Sequence, residues 1–158
     1  MKLNPDCVRE ILLFLEETLD YVDADSEYPH EHRKIPFNGF SGGERFRKFT
    51  SQEIAYATEV LYKEGYIECV NVTMSADNSD ILFANISSIT WKGHELIESI
   101  QNEKVWMLIK KKIKETVGTA SINVIASSAK WFMNGMMTDS NFLETFKATI
   151  ENAKILLN

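Results

Sequence analysis

Cysteine is scarce in this sequence: Cys7 and Cys69 are the only two. Two cysteines cannot form a zinc site alone, since a structural site takes four ligands, and two thiols do not make a disulfide framework. We expect free, buried thiols in a reducing cytoplasm. Proline and glycine are also few, 3 and 7, which excludes collagen-like and proline-rich disordered chains. No glycine-rich phosphate loop occurs. No apolar run is long enough to cross a bilayer, which takes about 20 residues. The best stretch, Ala120–Met137, is interrupted by Ser121, Asn123, Ser127, Ser128, Lys130 and Asn134. Asp6, Arg9 and Glu10 break up any secretory leader at the start.

Positive charge is the other shortage. The 158 residues carry 17 Lys and Arg against 23 Asp and Glu, a net charge of -6. An acidic chain has no overall attraction for nucleic acid or anionic membrane. The imbalance is uneven. Residues 1–100 hold 9 basic and 18 acidic side chains, whereas residues 101–158 hold 8 and 5. The two segments are opposite in sign and can attract each other, within one chain or between subunits.

Apolar residues, 44% of the chain, are patterned for helices with one hairpin. Asn4-Pro5-Asp6 is a helix start: a capping side chain, a proline at the first position and an acid facing the dipole. Val8, Ile11, Leu12, Leu15 and Leu19 follow at helical spacing, predicting a helix over 5–21. Residues 23–33 are polar loop. Lys34–Phe40 reads as a short edge strand, since Pro36 bars a central place, and Ser41-Gly42-Gly43 as a turn. Thr50 and Glu53 form a capping box for a helix over 51–64, ended by Gly65. Tyr66–Thr73 and Ile81–Ile86 pair as a hairpin around the turn 75–80. Thr90 caps a further helix through Ile100.

The remainder is helical. Trp106, Ile109, Ile113 and Val117 make one stripe; Ile122, Ile125, Ala126, Ala129, Phe132, Met133 and Met136 make the next. After Asp139, Leu143, Phe146, Ile150, Ala153 and Leu157 form a seam two heptads long. Helix, edge strand, helix, hairpin, helix is a winged-helix-like order. The expected fold is therefore α+β and mainly helical: a winged-helix-like domain at 1–100 and a helical extension at 101–158.

The opening, Met1-Lys2-Leu3-Asn4-Pro5-Asp6-Cys7-Val8-Arg9-Glu10-Ile11-Leu12, resembles that of DUF2513, a family common in bacterial and prophage genomes. Leu61-Tyr62-Lys63-Glu64-Gly65-Tyr66-Ile67-Glu68 and Ile89-Thr90-Trp91-Lys92-Gly93-His94-Glu95-Leu96 resemble two further blocks of it, and Val105-Trp106 the segment that follows. Where the family frequently has a Tyr-His pair in the second helix, this chain has Tyr56-Ala57. The resemblance implies a winged-helix-type fold and a mobile-element origin, and it transfers no activity.

Candidate chemistry is thin. Gly39-Phe40-Ser41-Gly42-Gly43 fits G-x-S-x-G by letter. It lacks a strong strand before it, a helix after it and a suitable acid and histidine downstream, so it reads as a turn. His30-Glu31-His32, near Asp23, Asp25 and Glu27, reads as an acidic solvated loop rather than a metal site. His94 reads as a packing or hydrogen-bonding histidine, and Gly93 as a point of close approach to the hairpin. Neighbouring acids such as Glu16 and Glu17 do not face each other on a helix. We expect no catalytic residue, cofactor or metal.

Two binding modes remain. In the favoured one, the protein acts through protein–protein contacts as a non-enzymatic regulator of phage or mobile-element origin. A homodimer then forms through the apolar tail, with Ile125, Ala129, Phe132, Met133, Met136, Phe146 and Ile150 at the interface. In the other, it is a DNA-binding transcriptional regulator. Helix 51–64 then reads bases with Gln52 and Tyr56 while Arg45, Arg47 and Lys48 meet phosphates. Glu59 on that helix and Asp77 and Asp80 in the wing oppose this. The run Lys110-Lys111-Lys112-Lys114 reads as a solvated face, with contact to the acidic domain or to nucleic acid as alternatives.

Overall fold

Asn4 starts the first helix as its residue type dictates. In the computed structural model, which describes residues 2–19, 33–40, 43–116 and 120–138 together with Asn141, Phe142, Glu144 and Ala148, its side chain accepts from the amides of Asp6 and Cys7. Helix α1 (Pro5–Thr18) buries Cys7, Val8, Ile11, Leu12 and Leu15. It ends three residues before the expected 21. Leu19 is extended and its amide closes on the Leu15 carbonyl; the last turn contains no basic residue of its own.

The expected strand over Lys34–Phe40 shrinks to β1 (Ile35–Pro36). Pro36 has no N–H to give, and the Gly39 amide turns back to the Pro36 carbonyl at 2.7 Å. A short 3-10 helix, Glu44–Phe46, follows where the sequence pattern predicted no element. It seats Phe46 edge-on to Phe14 (5.5 Å between centroids) and tilted on Phe40 (5.3 Å). Such aromatic contacts add to area burial.

Helix α2 (Ser51–Lys63) has both halves of the capping box from Thr50 and Glu53. Its acid has a second task. Glu53 Oε1 accepts from Asn4 Nδ2 at 2.8 Å, joining the two helix starts. Gly65 has φ +74°, the left-handed conformation that ends the helix, and the Tyr66 amide reaches the Leu61 carbonyl.

Strands β2 (Ile67–Met74) and β3 (Ile81–Ile89) form the hairpin. The antiparallel sheet runs in the order β1-β3-β2, with Pro36 on an edge strand as its chemistry requires. The register is irregular. Thr73 faces Phe83 and Met74 faces Ile81, so Leu82 is an extra residue, a bulge in β3.

Helix α3 (Trp91–Ile100) is capped by the Thr90 hydroxyl. Gly93 makes the close approach expected of it: a Cβ there would lie 2.3 Å from the Tyr66 carbonyl oxygen. Arg9 donates to the carbonyls of Ile100 and Gln101, satisfying the end of α3. Helix α4 (Glu103–Thr116) buries Val105, Trp106, Leu108, Ile109 and Ile113. Helix α5 (Ile122–Thr138) packs on α3 and α4. The buried apolar cluster runs from Leu3 to Phe132, so both charge segments contribute to it. The fold is α+β and mainly helical.

This packing places the residues expected at a dimer interface. Ile125, Ala129 and Phe132 are already buried within the protomer, 0%, 1% and 1% exposed. α3 and α4 supply the cover that the sequence reading gave to a second copy. Met133 and Met136 are half-buried, and Phe146 and Ile150 lie outside the described residues.

Candidate interaction surface

The bulge at Leu82 sets up the most distinctive surface. It breaks the alternation of β3, and both Leu82 (67% exposed) and Phe83 (50%) emerge into solvent. Facing them is the outer side of α2. Between the two lies a groove of about 440 Å³, rimmed by Phe37, Leu82 and Phe83 and floored by Ile54, Ala55 and Ala84. Its ionisable lining is Glu59 and Asp80, both acids.

The hairpin turn adds negative charge. Asp77 accepts from the Ser75 and Ser79 hydroxyls and the Ser79 amide. These hydrogen bonds, that of Ser75 first, hold its carboxyl down at about 2. Asp80 accepts from the Ser79 hydroxyl. Lys63 pairs with Glu59 one turn away and is also felt by Asp80, so its ammonium is held above the ordinary lysine value. Among the described residues, one cation against three acids leaves this lip net negative.

The candidate phosphate ligands are otherwise engaged. Arg45 donates to Glu10 at 2.9 Å and to both oxygens of Glu17 at 2.7 and 2.9 Å. Lys48 donates to the second oxygen of Glu10 at 3.1 Å and lies over the Phe49 ring. The hydrogen bond from Arg45 is the main reason the Glu17 carboxyl sits below its ordinary range. Arg47 and Gln52 are exposed, and Tyr56 is half-buried.

The lysine run of α4 is divided in the same way. Lys110 donates to both oxygens of Asp6, at 2.8 and 3.0 Å, and Trp106 Nε1 donates to the same carboxylate at 2.7 Å. Burial alone would raise the Asp6 carboxyl; these hydrogen bonds and the Lys110 charge outweigh it and hold it below the ordinary value. Lys111 lies 3.7 Å from Glu115, Lys112 sits over the Trp131 ring, and Lys114 is exposed. The opposite-sign segments thus meet within the chain at Asp6.

Other candidates have plain settings. Burial raises the Cys7 and Cys69 thiols, to about 12 and about 11, the reverse of what a nucleophilic cysteine needs. His94 Nδ1 lies 4.0 Å from Glu16, half-exposed. His30, Glu31, His32 and Ser41 lie outside the described residues. Among the described residues, no three His, Cys, Asp or Glu side chains are grouped to hold a metal, and no helix is long and apolar enough to cross a membrane.

A model of one family, described as "Hypothetical protein (DUF2513)", matches residues 2–120. The chain belongs to DUF2513. The DUF2513 match takes in α1 to α4, and so both walls of the groove, and ends before α5. An uncharacterised protein of Haemophilus influenzae is 31% identical over 137 residues, spanning 87% of this chain and 99% of that one. No solved structure matches this DUF2513 chain.

The sequence reading missed Leu82 and Phe83. The signal was there: Ile81-Leu82-Phe83-Ala84 is four apolar residues in a row. A strand covered on one face cannot bury them all.

Proposed function

We propose that this protein is a non-enzymatic, cytoplasmic interaction or regulatory protein, of phage or mobile-element origin as the family resemblance implies. It works through protein–protein contacts, and the α2–hairpin groove is its docking face. The observation that carries the reading is the pair Leu82 and Phe83, pushed out of the sheet beside Glu59 and Asp80. Exposed large apolar side chains next to acids suit a protein partner and repel phosphate. The raised Cys7 and Cys69 thiols give no activated nucleophile.

A DNA-binding winged helix is the second reading. It is favoured by the element order and by the sheet order β1-β3-β2, the arrangement of a wing beside a recognition helix. It is opposed by the engagement of Arg45 and Lys48 with Glu10 and Glu17, which leaves Arg47 as the one of the three with no ion pair among the described residues.

An anisotropy titration against mixed-sequence duplex DNA at about 50 and 200 mM salt separates the readings, because multi-phosphate binding loses decades of affinity across that range. We expect no binding at either salt. Tight low-salt binding that collapses at high salt and weakens with Arg47→Ala would replace the first reading by the second.

A further inference from the structure

The lining of the α2–hairpin groove says what chemistry it accepts. Among the described residues, strand β1 pairs with Asn85 and Ile86 of β3, and the Phe37 amide adds one bond to the Ala84 carbonyl. Ile81–Phe83 therefore runs past the end of β1 along the groove. The floor is made of small or buried apolar groups, Ala55, Ala84 and Ile54, so a side chain can enter. The volume, about 440 Å³, falls within the range of sites that enclose a ligand-sized group. Glu59 and Asp80 line it, and Asp77 extends the negative charge into the turn. An acidic segment or a nucleic acid would bring charge of the same sign to this lip, and that repulsion is itself a source of specificity.

We infer that the groove takes a short segment of a partner protein that joins a large apolar side chain to a neighbouring lysine or arginine. The apolar group rests against Leu82, Phe83 and Ala55, and the cation meets Asp80, with Glu59 beside it shared with Lys63. This rests on the protein-interaction reading and names the partner's chemistry. A second copy of the chain is the weaker occupant. Its exposed apolar side chains that adjoin a lysine are Met107 near Lys104 and Lys114 on α4, Trp91 beside Lys92 on α3 and Trp131 beside Lys130 on α5. They lie on helices that do not line the groove, and Lys92 is already held by the Glu64 carbonyl and the Tyr66 ring. Such a head-to-tail contact generates rings or open filaments rather than a closed pair.

The test is selection of a display library of random short peptides on the full-length protein, followed by anisotropy with the enriched peptides. We expect lysine or arginine beside leucine, isoleucine, phenylalanine or tryptophan. Phe83→Ser should weaken these peptides by about thirtyfold, the loss of one anchoring side chain. Glu59→Gln with Asp80→Asn should weaken them by about tenfold at low salt and less at high salt. Unchanged circular dichroism and melting of the variants keeps the comparison clean.

No enrichment, an acidic or uncharged consensus, or peptides indifferent to Phe83→Ser would overturn the inference. So would a concentration-dependent dimer that Phe83→Ser abolishes, which would make a second copy the occupant. A photo-crosslinking residue in place of Leu82 separates the two levels. If the library fails but this residue still couples to a host protein, the assigned chemistry falls and the interaction reading stands. If neither captures anything, both fall.

Discussion

Acids on the two sides of the molecule live differently. On the α1 side, Asp6, Glu10 and Glu17 are each held by a cation from another element: Lys110, Lys48 and Arg45. On the hairpin side, Asp77 and Asp80 are held by serines of their own turn. The first arrangement ties elements together and cancels charge. The second shapes a turn and leaves its charge facing outward. Net charge, -6 for the chain, describes neither surface. What a partner meets depends on which acids are already matched.

The contrast predicts that substitutions on the closed side cost more stability than those on the open side. Phe46→Ala should have the largest effect. Phe46 is 3% exposed among Phe14 and Phe40, and losing it should cost about 3–5 kcal/mol, measured from the shift in the urea midpoint. A loss under about 1 kcal/mol would mean that the segment 43–49 is not part of the closed side.

Asp6→Ala comes next. It removes the acceptor of Trp106 and Lys110, and with the carboxylate partly exposed it should cost about 1 kcal/mol. The sign with pH is fixed. The folded carboxyl is held below its ordinary value, so its contribution is complete above the unfolded value and disappears as pH falls through the folded one. Melting curves of wild type and Asp6→Ala should converge in strong acid; a constant gap at every pH would show that the charge does not matter.

The smallest effect belongs to the open side. Leu82→Ser with Phe83→Ser should lower the stability read from urea melts by no more than about 1 kcal/mol, because Leu82 is two-thirds and Phe83 half exposed. A large loss would show that these residues hold the hairpin, and the contrast would fail.

Much of this frame is legible in the sequence because it is written in local chemistry. Asn4, the Thr50–Glu53 box, Gly65 and Thr90 act at short range, and each does in the structure what its type requires. The edge placement of Pro36 is read from one missing N–H. Longer-range features are not legible in this way. The partners of Arg45 are 28 and 35 residues away, so nothing in the spacing shows that this cation is already matched. The burial of Ile125, Ala129 and Phe132 depends on α3 and α4 presenting apolar faces to α5. A stripe on one helix does not say whether its cover comes from the same chain. The bulge at Leu82 is a matter of strand register, which a run of four apolar residues signals only as a broken rule.

The bond between Asn4 and Glu53 has a kinetic side. Asn4 holds the first amides of α1 while its Nδ2 donates to Glu53, whose other oxygen accepts from the Thr50 amide at the start of α2. One amide and one carboxylate, 49 residues apart, therefore clasp two helix starts. Fraying at one start loosens the other, so we expect amide exchange at the first turns of α1 and α2 to speed up together when Asn4→Ala removes the bond; acceleration confined to α1 would show that the clasp does not couple them.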